Sequence, residues 1–247
     1  MPQERWCAIM KKTTISVTLF ALILFAALCP SAEAQKKKRK PNPAMQPIED
    51  VAGLPRVLLI GDSISIGYTL AVRKLLQGKA NVHRPLTNCG PTTRGLSGID
   101  QWLGDKKWDV IHFNWGLHDL KYMGSKNENL ADPKASSSHQ QVPPTEYEKN
   151  LRTLVARLKK TGAKLIWCST TPVPEGAGGR VVGDAVKYNA IAAKVMADNN
   201  IPTDDLYSFA KARLKEIQKP ANVHFSTEGS QAMAKEVVSS ITKALGK

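Results

Sequence analysis

Short apolar runs alternate with amphipathic stretches through residues 55–247 of this 247-residue chain. That alternation predicts an α/β protein: a single-domain, three-layer α/β/α, flavodoxin-like fold with a five-stranded parallel sheet. Two further observations support the reading. Val57-Leu58-Leu59-Ile60 is an apolar run short enough for a strand buried on both faces. Residues 55–247 also carry no internal repeat and are long enough for one substantial core, with no second domain evident.

The expected strands are 56–60, 80–84, 110–115, 164–169 and 202–207. Between them, Leu70, Val72, Leu75 and Leu76 mark a helix over 66–76, and further helical patterns fall at 98–103, 145–160 and 184–198. Thr145-Glu146-Tyr147-Glu148 and Thr227-Glu228 are helix-start strings, the second opening a C-terminal helix over 227–245. In an open sheet of this kind ligands bind at the carboxyl ends of the strands. Groups that follow strands are therefore the ones to examine.

Gly61-Asp62-Ser63 directly follows the first strand, and His224 stands just before the last helix. A serine hydroxyl is a poor nucleophile until a base removes its proton, so an esterase needs both groups on rigid elements. At a strand-to-helix turn the first helical N–H groups lack internal partners and can receive an oxyanion. The same three residues also suit an ordinary turn and helix N-cap. More of the pattern follows in order: Asn88-Cys89-Gly90-Pro91-Thr92-Thr93-Arg94-Gly95, then Gly116-Leu117-His118-Asp119, then Asn222-Val223-His224-Phe225-Ser226. Taken together, these four blocks resemble those of the SGNH or GDSL hydrolases, a family of esterases and lipases, from about Arg56 to the C-terminus.

The resemblance implies that Ser63 attacks, that His224 carries the proton, and that the oxyanion hole draws on the backbone N–H groups of Ser63 and Gly95 and on the side chain of His118. Gly90 is the fallback for Gly95, because the second block departs from the usual spacing. Two departures fall on functional positions. The family's third-block Asn is replaced by His118, whose ring N–H can donate in the same way but brings a tautomer and a charge. The Asp usually found three residues before the catalytic His is replaced by Ala221. Asn222 can orient the imidazole through its amide oxygen, as Asn does in some Cys-His enzymes. A backbone carbonyl, or a carboxylate from elsewhere such as Asp205, is the other possibility.

The N-terminus sets an expectation for the compartment. Lys11-Lys12, an apolar stretch over 17–28 and the small-residue site Ser31-Ala32-Glu33-Ala34 read as a secretory signal peptide over 1–34, with Met10 a plausible true start. The stretch is too short for a stable membrane span. Leu28 is too bulky before Cys29 for lipoprotein processing. Lys36-Lys37-Lys38-Arg39-Lys40 and the prolines at 41, 43 and 47 then predict an unpacked basic linker over 35–54. The whole chain carries a net charge of +14, which favours acidic polysaccharide or other acidic surfaces, through that tail above all. No stacking or base-reading elements for nucleic acid are found.

The remaining residues narrow the chemistry. Of four cysteines only Cys89 and Cys168 lie in the domain, and they are expected as buried free thiols rather than a bridge. No metal-ligand string of strong spacing and no cofactor motif is present; His112 alternates within a strand and fits a core or supporting role. Gly178-Gly179 lacks the Lys-Ser or Lys-Thr of a phosphate loop. Two long segments, 122–144 and 171–180, are candidate rims of the site. Trp115, with Tyr122 and His139, is a candidate sugar platform, though a Trp at a strand end also suits the core. With no long apolar lid segment, the expected substrate is a short acyl group, such as acetyl, on a carbohydrate. The rival expectation, drawn from the missing acid at Ala221, is a catalytically impaired carbohydrate-binding or scaffold protein on the same fold. Covalent labelling of Ser63 separates the two.

Overall fold

The computed structural model describes residues 41–247. The expected signal peptide and pentabasic run lie outside the described residues. The elements are β1 (Arg56–Ile60), α1 (Ser63–Leu75), β2 (Asn81–His83), α2 (Thr92–Leu103), β3 (Val110–Phe113), β4 (Tyr122–Met123), β5 (His139–Gln140), α3 (Pro144–Lys159), β6 (Lys164–Cys168), α4 (Asp184–Ala197), β7 (Thr203–Asp204), α5 (Leu206–Ala212), α6 (Leu214–Ile217) and α7 (Thr227–Leu245). Five strands form one parallel sheet in the order β2-β1-β3-β6-β7, and β4 and β5 form a separate antiparallel hairpin. Helix α1 packs on α7, which also meets α5 and α6, while α2, α3 and α4 pack in series. The sheet is thus covered on both faces, as the continuous burial of β1 and β3 requires.

The strand order matters for function. The chain runs from β1 outward to β2, then crosses back to place β3 on the other side of β1. That reversal opens a crevice beyond the carboxyl ends of β1 and β3, the usual ligand position in open α/β sheets. Ser63 follows β1 and His118 follows β3.

Three of the departures from the sequence pattern have a clear physical reason. Helix α2 begins at Thr92, six residues earlier than periodicity indicates, because its first turn is capped from a distance: the backbone N and Oγ1 of Thr92 donate to Asp119 Oδ1 at 2.8 and 2.6 Å. The last strand is only Thr203–Asp204, because Asp205 turns the chain into α5 by accepting from the Ser208 backbone N–H. Residues 41–54, expected as the end of an unpacked linker, lie against the domain. Arg73 donates to the carbonyls of Pro43 and Gln46, Asn81 bridges to Val51 and Leu54, and Asp50 pairs with Arg56, His83 and Lys106. Their backbone partners are satisfied by side chains of the folded domain, which a composition-based reading cannot register.

Candidate active site

Asp62 ends the β1 turn and caps α1, its Oδ1 accepting from the Ile64 N–H at 2.9 Å. The Gly61-Asp62-Ser63 string is therefore both a helix N-cap and the mount for Ser63, the first residue of α1. A buried arginine braces this turn from behind. Arg84 donates to Gly61 O at 3.2 Å, Ser65 Oγ at 3.3 Å and Thr69 Oγ1 at 3.0 Å, and so ties the backbone before Ser63 to side chains of the first turns of α1.

His224 arrives on a six-residue loop closed by pairing of Gln218 with Phe225. The buried Gln218 amide donates to Pro172 O and Val223 O, tying this loop to the one after β6. The result brings His224 Nε2 to 2.8 Å from Ser63 Oγ and His224 Nδ1 to 2.7 Å from Asn222 Oδ1. The tautomer follows from the backbone. Asn222 Oδ1 also accepts from the His224 N–H at 2.9 Å, so the atom there is an acceptor, Nδ1 must carry the ring proton, and Nε2 is left bare to accept from the serine hydroxyl. Partial burial of the imidazole holds its pKa below the ordinary 6.5; Arg180 and Lys219 act in the same direction and Asp62 opposes them. A neutral imidazole poised on a serine can take the hydroxyl proton near neutral pH.

Asn222, not Asp205, is the residue that meets His224. Asp205 is occupied at the start of α5, accepting from Ser208 N and from Ser169 Oγ at 3.0 Å. Ala221, where the resemblance leads one to expect an acid, sits in the left-handed region at φ +49°.

The sequence-based expectation for Gly95 needs correction. Because α2 starts at Thr92, the Gly95 N–H lies inside the helix and donates to Pro91 O at 3.1 Å, leaving nothing for an oxyanion. Its small size serves packing instead: a Cβ there would lie 2.9 Å from the Trp115 ring. The fallback, Gly90, donates to Asn88 Oδ1 at 2.9 Å. His118 does line the cavity beside Ser63. Burial lowers its pKa, with Lys121, Arg180 and Arg94 in support and Asp62 opposed. It is thus a neutral ring with one N–H to give.

These groups open onto a cavity of about 380 Å³ that also holds Asn88, Leu117, Lys121, Asn129, Leu130 and Arg180. Both expected rim segments contribute. They are pinned together by the Tyr122 N–H donating to Gly179 O at 2.7 Å. Trp115 does not contribute: it is a core side chain, 1% exposed, against Phe113. Cys89 and Cys168 are buried free thiols, and His112 is buried on Asp204 at 2.9 Å. His112, Cys168 and Asp204 bring ligand atoms within 4.8 Å of one another. Burial raises the Cys168 thiol well above its ordinary value.

Sequence reasoning passed over Arg84, Asp119, Lys121 and Arg180. Asp119 had a signal, since it ends the third block; the cations had none, because nothing local distinguishes them from surface charge.

A parallel sheet with a serine after its first strand and a paired histidine before its last helix defines a hydrolase of the SGNH class. A family model described as GDSL-like lipase/acylhydrolase matches residues 59–232. The chain belongs to that family, and it is an ester hydrolase by class. Solved structures similar to it include an acetyl xylan esterase (18% identity, TM-score 0.60, covering 75% of this chain and 99% of that one). A lipase/acylhydrolase from Enterococcus faecalis is also similar (19%, TM-score 0.62, 77% and 96%). So is an acetylxylan esterase from Geobacillus stearothermophilus (18%, TM-score 0.59, 78% and 94%). A search of curated proteins returned no match. Among the described residues no helix is long and apolar enough to cross a membrane.

Proposed function

We propose that this protein is a secreted serine esterase that removes short acyl groups, acetyl foremost, from carbohydrate through a seryl acyl intermediate. The observation that carries the reading is the relay from Ser63 Oγ to His224 Nε2 at 2.8 Å, with Nδ1 held on Asn222 at 2.7 Å. Ser63 Oγ attacks the ester carbonyl carbon as its proton passes to Nε2. The carbonyl oxygen, now an oxyanion, accepts from the Ser63 backbone N–H and the His118 ring N–H. Collapse expels the alcohol, which takes the proton from Nε2 and leaves the acyl group on Ser63. Water then repeats the cycle in reverse, returning the serine. Asn222 orients the imidazole without neutralising it.

The open cavity, about 380 Å³ and lined by Leu117, Leu130 and Val223 beside its polar groups, supports a small acyl group. The signal-like segment 1–34 supports export, and the basic run after it supports attraction to acidic glycans. Two of the similar structures are acetyl xylan esterases by name, which agrees with an acetylated carbohydrate.

The test is hydrolysis of p-nitrophenyl acetate by protein starting at Gln35, alongside Ser63→Ala and fluorophosphonate labelling read by mass spectrometry. Turnover and a labelled Ser63 peptide, both lost in Ser63→Ala, are expected. An unlabelled Ser63 sinks the assignment and leaves a glycan-binding protein on a hydrolase fold.

A further inference from the structure

Lys121 is buried, at 9% exposure, and its ammonium has no acceptor among the described residues, yet it lines the cavity that holds Ser63. The burial falls on its stem, and Nζ remains reachable from solvent. Arg180 lines the same cavity. Its guanidinium is fixed by backbone carbonyls, Nε on Leu117 O at 3.1 Å and Nη1 on Gly178 O at 3.5 Å, and it meets no carboxylate within ion-pair distance among the described residues. The titratable groups facing this space are Asp62, His118, His224, Lys121 and Arg180. Asp62 is the single acid, and its Oδ1 is already engaged by the Ile64 N–H. The cavity is therefore positive. Both neutral histidines leave that charge unrelieved.

A neutral acetyl ester has no use for two cations beside the nucleophile with one acid, Asp62, to offset them. They also work against the catalyst, since Arg180 disfavours protonation of His224, and Arg180 and burial together disfavour the charge on Lys121 itself. An anion in the cavity reverses both effects. It supplies the missing acceptor and stabilises the imidazolium formed when Ser63 attacks.

Building on the esterase reading, we infer that the substrate is a carboxylate-bearing ester, whose carboxylate is received by Lys121 and Arg180 while its ester carbonyl lies on Ser63. The carboxylate belongs either to the acyl group or to an acidic sugar that carries it.

Two pairs of substrates separate these sources. Mono-p-nitrophenyl glutarate against p-nitrophenyl valerate places the charge on the acyl side. Acetylated galacturonate oligomers against acetylated xylose oligomers place it on the alcohol side. In at least one pair the anionic member is expected to have the higher kcat/KM by on the order of tenfold, the scale of one charge-assisted hydrogen bond. That ratio should shrink in Lys121→Gln and in Arg180→Gln, and in high salt. Because each ratio is taken within one protein, partial loss of folded enzyme cancels. A ratio at or below one in both pairs, or a preference unchanged in both variants, overturns the inference. Binding of trigalacturonate, glutarate and neutral xylotriose to Ser63→Ala, measured by calorimetry, needs no turnover. Tighter binding of an anion that is lost on Lys121→Gln sustains an anion-selective cavity even if Ser63 is never labelled, whereas equal binding removes it even if p-nitrophenyl acetate is hydrolysed.

Discussion

Replacing Asn222 by Asp restores a carboxylate to a triad that has none, and its effect can be worked out from the geometry. The new carboxylate oxygen would occupy the place of Asn222 Oδ1, 2.7 Å from His224 Nδ1, and keep the acceptor for the His224 backbone N–H. An opposite charge so close raises a histidine pKa by roughly 1–3 units. Asn222 is exposed, so screening favours the lower end, about one unit, or about 1.4 kcal/mol of imidazolium stabilisation. The sign is fixed by mechanism. His224 must be neutral to accept the Ser63 proton, so activity is lost as pH falls through its pKa. In the native protein that acid limb should lie below the ordinary 6.5, since burial, Arg180 and Lys219 hold the imidazole down. In Asn222→Asp the limb should move up by about one unit while the plateau rises by up to about tenfold, because the imidazolium formed during attack is better stabilised, so the variant's advantage is greatest at high pH and shrinks toward pH 5. The assay is kcat/KM for p-nitrophenyl acetate from pH 5 to 9 with the spontaneous rate subtracted. An acid limb that stays in place or moves down would show that Asn222 does not act on His224 as the geometry requires.

Three further outcomes are expected. His118→Ala should lower kcat by about 100- to 1000-fold with little change in KM, and His118→Asn should recover part of it through an amide N–H; a kcat within twofold of native removes His118 from the oxyanion hole. Asp119, buried with Oδ2 unpartnered, has its carboxyl pushed up to about 7 by burial against the pull of the Thr92 hydrogen bonds. Its folded pKa exceeds its unfolded one, so the folded state holds the extra proton, and stability should fall by up to about 1.4 kcal/mol per pH unit between pH ~4 and 7. Asp119→Asn should flatten that slope in thermal melts, and an unchanged slope would assign it to other groups. Gly116→Ala places a Cβ well inside contact distance of Thr170 Oγ1, a side chain that itself donates to Trp115 O. Such overpacking costs about 1–3 kcal/mol, a Tm loss of roughly 2–12 °C in a domain of this size, and calorimetry showing an unaltered Tm would contradict the close approach.

Where structure is local, the sequence is sufficient. The C-terminal helix matches its expected bounds at Thr227–Leu245, because Ser226 caps it through the Gly229 N–H and its apolar spacing is internal to the segment. β1 is likewise readable from five consecutive residues, and Ser63 and His224 from the motifs around them. Asn222 was legible as the orienting group because it lies two residues from the histidine it holds. Gly95 was misplaced for the opposite reason. The start of α2 depends on a carboxylate 27 residues away, so no window around Gly95 could show that its N–H is spent inside a helix.

The sequence by itself thus determined the layered α/β architecture and singled out Ser63 and His224, which the fold brings together, since each rests on hydrophobic period, strand-end position or residues adjacent in the chain. Only the tertiary structure decided what surrounds them. Arg84 behind the nucleophile turn, Asp119 at the foot of α2, and Lys121 and Arg180 facing Ser63 come from separate loops. Their meaning depends on burial and on which partners they lack, quantities that exist only once the sheet has brought those loops to one edge.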